Sequence, residues 1–302
     1  MTEKQVALVT GGTGFVGSNL IRRLISRGWR VHAIVRPNSD LKTLATCVDE
    51  ISLHIHDGST EDLLKIMSAV KPDVVFHLAS LFLSSHTLND VARLIQSNVL
   101  FSVQLVEAMN ENGIKNLVNT GTSWQHYQNR EYSPVNLYAA TKQAFEAILQ
   151  YYVEAKAFKV ITLKLFDTYG PNDPRPKLFH LLEKTASTQE SLAMSPGDQL
   201  IDLVHIDDVI DAYLLAAQYV QTDAHAGHRK FAVTSGNPIK LKQLVQKYSE
   251  VTGKAIPVEW GIRPYRPREV MVTWDRGETL PGWTPKIPLE DGVASMGRAV
   301  NK

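Results

Sequence analysis

The chain has 302 residues, a formal net charge of +1, a single cysteine, 44% hydrophobic and 21% charged residues. That is enough apolar material for a large core and suggests about two domains. Scattered basic residues give no electrostatic case for nucleic acid or an anionic membrane as partner. Cys47 cannot close an internal disulfide, which points to a reducing compartment. No apolar run reaches about 18 residues, and the N-terminus lacks a secretory pattern. A cytoplasmic protein without a membrane span is expected.

Strand-like runs recur at residues 6–10, 30–35, 51–56, 73–77, 116–120 and 159–165, with helix-like stretches between them. Two of these stretches, 91–111 and 137–156, are long. Such alternation predicts an α/β fold of the Rossmann type, a doubly wound parallel sheet covered on both faces. Its ligands belong beyond the carboxyl ends of the strands. After Gly170-Pro171 the pattern changes. Residues 172–177 are proline-rich and charged and read as a loop, and 185–199 is polar with few strong structure formers.

Two motifs carry chemistry. Thr10-Gly11-Gly12-Thr13-Gly14-Phe15-Val16-Gly17 follows the first strand and opens a helix. Gly11 permits the tight turn, Gly14 lets the backbone approach a pyrophosphate, and Gly17 lets helix and strand pack closely. Free amides at the helix start then face the anion. The second motif, Tyr138-Ala139-Ala140-Thr141-Lys142, puts a phenol and an ammonium on one helix face. An ammonium there is expected to lower the phenol pKa toward neutrality, so that Tyr138 can exchange a proton with a carbinol oxygen. Together the motifs point to hydride chemistry with a nicotinamide cofactor.

These segments resemble the extended short-chain dehydrogenases/reductases. The likeness spans nearly the whole chain and includes His77-Leu78-Ala79-Ser80, Ser97-Asn98-Val99, Tyr169-Gly170-Pro171, Val204-His205-Ile206-Asp207-Asp208-Val209 and Pro281-Gly282-Trp283-Thr284-Pro285. Within the family it is most similar to bacterial reductases of 4-keto-deoxy nucleotide sugars. The resemblance implies a dinucleotide-binding domain over 1–171, rejoined by a segment at about 200–235, and a smaller substrate-binding domain mainly over 172–302. It also implies a homodimer paired through helices 91–111 and 137–156.

Around the cofactor, the resemblance assigns Gly11, Thr13, Gly14, Phe15, Val16, Asp57, Gly58, Leu78, Ala79, Ser80, Asn98, Thr120, Tyr138, Lys142 and Leu165. Asp57 matches the residue that bonds the adenine amine, although Asp57-Gly58-Ser59 also reads as an ordinary turn. Rossmann proteins that prefer NAD carry an acid about 20 residues past the glycines. Here the second strand ends Val35-Arg36-Pro37, and Arg36 can pair with a 2′-phosphate. NADP(H) is therefore expected, with NAD(H) as the alternative.

The family places a hydroxyl after the fifth strand, which makes Thr122 the third catalytic residue beside Tyr138 and Lys142, with Ser123 as the fallback. Nucleotide-sugar 4,6-dehydratases follow that hydroxyl with Asp-Glu. Ser123-Trp124 stands there instead, which argues against dehydration and leaves reduction or epimerisation. Ser80, Thr122, Ser123, Asp167, Lys177 and Arg266 are the substrate candidates. Ile201 replaces an arginine that the family sets near the substrate diphosphate, so Arg266 or Arg268 is expected to supply that charge. Asp167 and Lys164 replace a usual asparagine and arginine.

His77 and His205 read as core or supporting residues. His54 and His56 share a strand face without a third ligand at metal spacing, so no metal is expected. The expected activity is NADP(H)-dependent reduction of a 4-keto-(di)deoxy nucleotide sugar. A 4-epimerase with tightly held NAD, a reductase of a non-nucleotide carbonyl and a non-catalytic NADP-sensing regulator are the alternatives.

Overall fold

A computed structural model of the protein describes residues 4–225 and 227–298. The first half alternates as the sequence pattern requires: β1 (Val6–Thr10), α1 (Phe15–Ser26), β2 (Arg30–Val35), β3 (Ile51–Ile55), α2 (Thr60–Val70) and β4 (Val74–His77). There follow α3 (Val91–Ile95), a π-helical turn (Gln96–Leu100), α4 (Phe101–Glu111), β5 (Asn116–Thr122), α5 (Leu137–Lys156) and β6 (Lys159–Leu165). Later come β7 (Asp167–Tyr169), α6 (Leu178–Thr188), β8 (Leu192–Met194), β9 (Leu200–Ile201), β10 (Leu203–His205) and α7 (Ile206–Thr222). The last elements are β11 (Gly227–Val233), β12 (Ile239–Lys240), α8 (Leu241–Thr252), β13 (Val258–Trp260) and α9 (Leu289–Arg298).

Seven strands form one sheet in the order β11-β6-β5-β4-β1-β2-β3. Every pairing in it is parallel. Order reverses between β1 and β4, which places a crevice at their carboxyl ends. All five residues of β1 are buried, as expected of a central strand with helices on both faces. On one face Leu20, Ile21 and Leu24 of α1 pack with Val209, Tyr213 and Ala217 of α7. On the other, α2, α4 and α5 contribute Leu63, Met67, Leu105, Met109, Phe145 and Leu149.

A separate apolar cluster joins Tyr169, Leu182, Leu244, Val245, Tyr248 and Val293. It holds α6, α8 and α9 together, with β8 paired to β13 and β9 to β12. The polar stretch at 185–199 thus begins inside a helix, because Leu182 of α6 is buried against this cluster, with Thr185 buried one turn on. Residues 172–177 form the expected loop.

Candidate active site

The β1–α1 turn is as tight as its glycines suggest. Gly11 has φ +73°, and a Cβ there would lie 2.6 Å from the amide of Ala79. A Cβ on Gly17 would lie 2.2 Å from the carbonyl oxygen of Gly11. No side chain caps α1, whose N-cap is Gly14. The leading amides of Phe15 and Val16 therefore have no intrahelical acceptor and form an anion cradle. Thr13 is fixed in the turn by Thr43 Oγ1, which donates to its carbonyl at 3.0 Å.

The segment after β4 is anchored to this turn. Leu78 N donates to the Thr10 carbonyl at 3.2 Å, and Ala79 N to Thr10 Oγ1 at 3.2 Å. Asn98 lies on the π-helical turn and is buried. It accepts from Leu81 N at 2.7 Å and donates to Leu81 O and Thr141 Oγ1, each at 3.0 Å. It braces the loop carrying Ser80 against the helix carrying Tyr138.

Arg36 is exposed beyond β2, and its backbone amide donates to Ser39 Oγ. Among the described residues its guanidinium has no ion-pair partner. Asp57 is exposed beyond β3 and accepts from Ser59 N at 2.8 Å, so its carboxylate begins the turn through Gly58. Thr120 faces the core instead. Its hydroxyl donates to His77 O at 2.8 Å and pairs with Tyr213 Oη at 2.6 Å. Leu165 ends β6, level with Thr122 across the β5–β6 ladder.

Tyr138 and Lys142 lie one turn apart on α5, whose first turn is capped by Asn136 Oδ1 accepting from Ala139 N at 3.0 Å. Lys142 is 4% exposed, and burial holds its ammonium down at about 8 against the upward pull of Glu146. Tyr138 corrects an expectation. Loss of hydration pushes its phenol up to about 12, and only Ser80 and Arg175 pull the other way. Helical spacing brings the ammonium near, but it does not reveal how little water reaches the phenol.

Thr122 is buried at the end of β5, where its hydroxyl accepts from Trp124 N at 3.3 Å. Ser123 is the hydroxyl that lines the neighbouring cavity. This cavity, about 1230 Å³, lies beyond the sheet's carboxyl edge and also takes in Trp124, Asp167, Lys177 and Arg266. Phe82 of its wall meets Trp124 at 5.6 Å and the Tyr138 ring edge-on at 5.0 Å.

Burial raises the Asp167 carboxyl against Lys177, and burial lowers the Lys177 ammonium against Asp167. Arg266 enters the cavity already paired to Glu269, with Nη2 donating to Oε1 at 2.8 Å. Arg268 turns away, donating to Pro134 O and Ser133 Oγ, and so is not in the cavity wall.

Several wall residues were not singled out in the sequence. Arg263 lines the cavity, and Arg175 stacks on Phe15 at 4.7 Å while paired to Asp173. Trp274 stacks on His126 with ring centroids 3.8 Å apart. Of these, only Arg263 has a signal in the sequence, its nearness to Arg266 and Arg268. His56, Asp57 and Asp62 offer ligand atoms within 4.8 Å of one another, but His56 and Asp62 already bond each other at 3.0 Å. No helix among the described residues is long and apolar enough to cross a membrane.

A crevice with a glycine-built anion cradle, beside a half-buried Tyr138 and a buried Lys142, is the site of a dinucleotide-dependent oxidoreductase. Residues 7–230 match the NAD dependent epimerase/dehydratase family, and the chain belongs to that family of extended short-chain dehydrogenases/reductases. It is 26% identical to a CDP-abequose synthase of Salmonella muenchen, over 96% of each chain. It is 25% identical to a UDP-glucose 4-epimerase of Halalkalibacterium halodurans, over 93% of this chain and 91% of that one. Its fold is shared with the Thermus thermophilus UDP-glucose 4-epimerase in complex with NAD, at TM-score 0.83 and 22% identity, covering 98% of this chain and 99% of that one.

Proposed function

We propose that the protein reduces the keto group of a 4-keto-(di)deoxy nucleotide sugar, with NADPH as reductant. The observation that carries this reading is the Tyr138–Lys142 pair opening, through Phe82, on a large cavity that has Ser123 and Trp124 where dehydration needs an acid and a base. A nicotinamide dinucleotide bound along the β1–α1 turn supplies the hydride. Tyr138 protonates the oxygen of the reduced carbon, and Thr122 or Ser123 holds that oxygen in line. A positive Lys142 favours the phenolate left behind, offsetting the loss of hydration. Arg36 is free to meet a 2′-phosphate, which favours NADP(H) over NAD(H). Arg266 and Arg263, both in the cavity wall, would receive the substrate diphosphate. The CDP-abequose synthase likeness supports a deoxysugar substrate.

The competing reading is a 4-epimerase that keeps its NAD, favoured by the likeness to UDP-glucose 4-epimerases. One assay separates the two. NADPH or NADH is mixed with CDP-, dTDP- and GDP-4-keto-6-deoxysugars, and loss of reduced-nicotinamide absorbance is followed. Turnover with NADPH that disappears in Tyr138→Phe supports reduction. A co-purifying cofactor without net oxidation of added NADPH supports epimerisation.

A further inference from the structure

A second cavity, about 690 Å³, adjoins the first and shares His126 and Trp274 with it. Its charged walls are four basic side chains, Arg130, Lys164, Lys230 and Arg276, against two acidic ones, Glu131 and Glu278. Neither of these acids is paired to a lysine of the cavity among the described residues. Lys164 and Lys230 instead share the carboxylate of Glu146 on α5, whose Oε2 lies 3.5 Å from the first ammonium and 3.6 Å from the second. The other oxygen of Glu146 accepts from Gln125 Nε2 at 2.8 Å.

The remaining contacts of Lys164, with the Trp274 ring at 5.6 Å and with His126, add no negative charge. Its Nζ donates to His126 Nε2 at 2.7 Å, and burial and Lys164 hold His126 down at about 4, so the imidazole is neutral. Two ammonium groups therefore face one carboxylate, and Lys164 is 3% exposed. A cation buried beside a second cation calls for more counter-charge than half a carboxylate provides. The guanidinium groups of Arg130 and Arg276, both exposed at the rim, have no ion-pair partner among the described residues.

We propose that this cavity is a binding site for a phosphate group, free or carried as a monoester on a small metabolite, held between Lys164, Lys230 and Arg276. The site would take a compact dianion: ammonium and guanidinium donors approach it from several sides, and a tetrahedral oxyanion has acceptors for all of them. The volume lies in the range of small-ligand pockets. The segment that carries Trp274 and Arg276 also carries Arg263, Arg266 and Glu269 of the substrate cavity. A seated phosphate would brace that wall.

The test is calorimetric titration of the protein with inorganic phosphate, and separately with glycerol phosphate, while saturating NADP+ fills the cofactor cradle. Potassium chloride at matched ionic strength is the control. The expected result is one saturable site, weakened about tenfold or more in Lys230→Met and in Arg276→Ala through loss of a charge-assisted bond. Arg266→Ala, which alters only the substrate cavity, should bind phosphate like the wild type. Thermal unfolding checks that each variant folds, and the exposed Arg276 decides the matter if Lys230→Met does not. Tighter binding of the monoester than of inorganic phosphate would identify a metabolite as the ligand, and the reverse would identify free phosphate. Absence of saturation, an equal response to chloride, or unchanged affinity in Arg276→Ala would overturn the proposal.

Discussion

The rings of Phe82 and Tyr138 meet edge-on with centroids 5.0 Å apart. Phe82 is a wall of the large cavity, so the aromatic contact links that cavity to the proposed proton donor. Tyr138→Phe should keep this packing while removing the proton, costing about 10²–10⁴-fold in turnover and weakening NADPH far less than that. Phe82→Ala should loosen the donor and admit water, lowering kcat while Tyr138 remains. Steady-state kinetics with fluorescence titration of NADPH separates the two outcomes.

Lys142 makes a prediction about stability. Burial takes its ammonium from an ordinary 10.5 to about 8 in the fold. Between those values the unfolded chain binds more protons than the native one, so stability gains as pH rises through that window. Below it the burial cost stands in full. Lys142→Met should therefore unfold at higher urea than the cofactor-free wild type at neutral pH, by a margin on the order of 3 kcal/mol. The margin should shrink as pH rises from 8 to 10.5, and above 10.5 the amine is neutral in both states. A constant difference across that range would contradict the assignment of burial as the cause.

Gly17→Ala tests the cradle. Its new methyl would fall 2.2 Å from the Gly11 carbonyl oxygen. Relief requires α1 to move away from the turn that carries Phe15 and Val16, at a cost of about 1–3 kcal/mol for the overpacking. Both the melting temperature and NADPH affinity should fall together. Loss of one without the other would separate packing from phosphate binding.

Arg36→Ala addresses cofactor choice. Loss of a charge-assisted bond to a 2′-phosphate should weaken NADPH by about tenfold to a hundredfold, with NADH affinity unchanged. Equal weakening of both would assign Arg36 to the fold or to the adenine, and no weakening would remove the argument for NADPH.

Much of this architecture is visible in the residue pattern. The buried strands β1 and β4 read as apolar runs, and α5 spans Leu137–Lys156 as its spacing indicates. What escaped the pattern depends on tertiary context. α6 ends in a polar stretch and becomes a helix by laying Leu182 on the third cluster, with Thr185 buried one turn on. The upward displacement of Tyr138 comes from lost hydration, which Ser80 and Arg175 only partly offset, and no spacing rule encodes that. Arg175 lies between two prolines in a loop, where nothing local announces a stack on Phe15. The Thr120 hydroxyl goes to Tyr213, 93 residues away in the chain.

The π-helical turn at Gln96–Leu100 has a consequence for how the chain can vary. A π turn holds more residues than an α turn, so the long helix contains local slack. Deleting one residue there would restore regular winding, and each position beyond the deletion would swing by about 100° relative to those before it. Asn98 holds the loop at Leu81, while Ser102, four residues on, holds His77. Regular winding could keep one of these grips only by losing the other. The segment thus constrains the number of its residues as strictly as their kind, and a shortened version should fail even when every remaining side chain is kept.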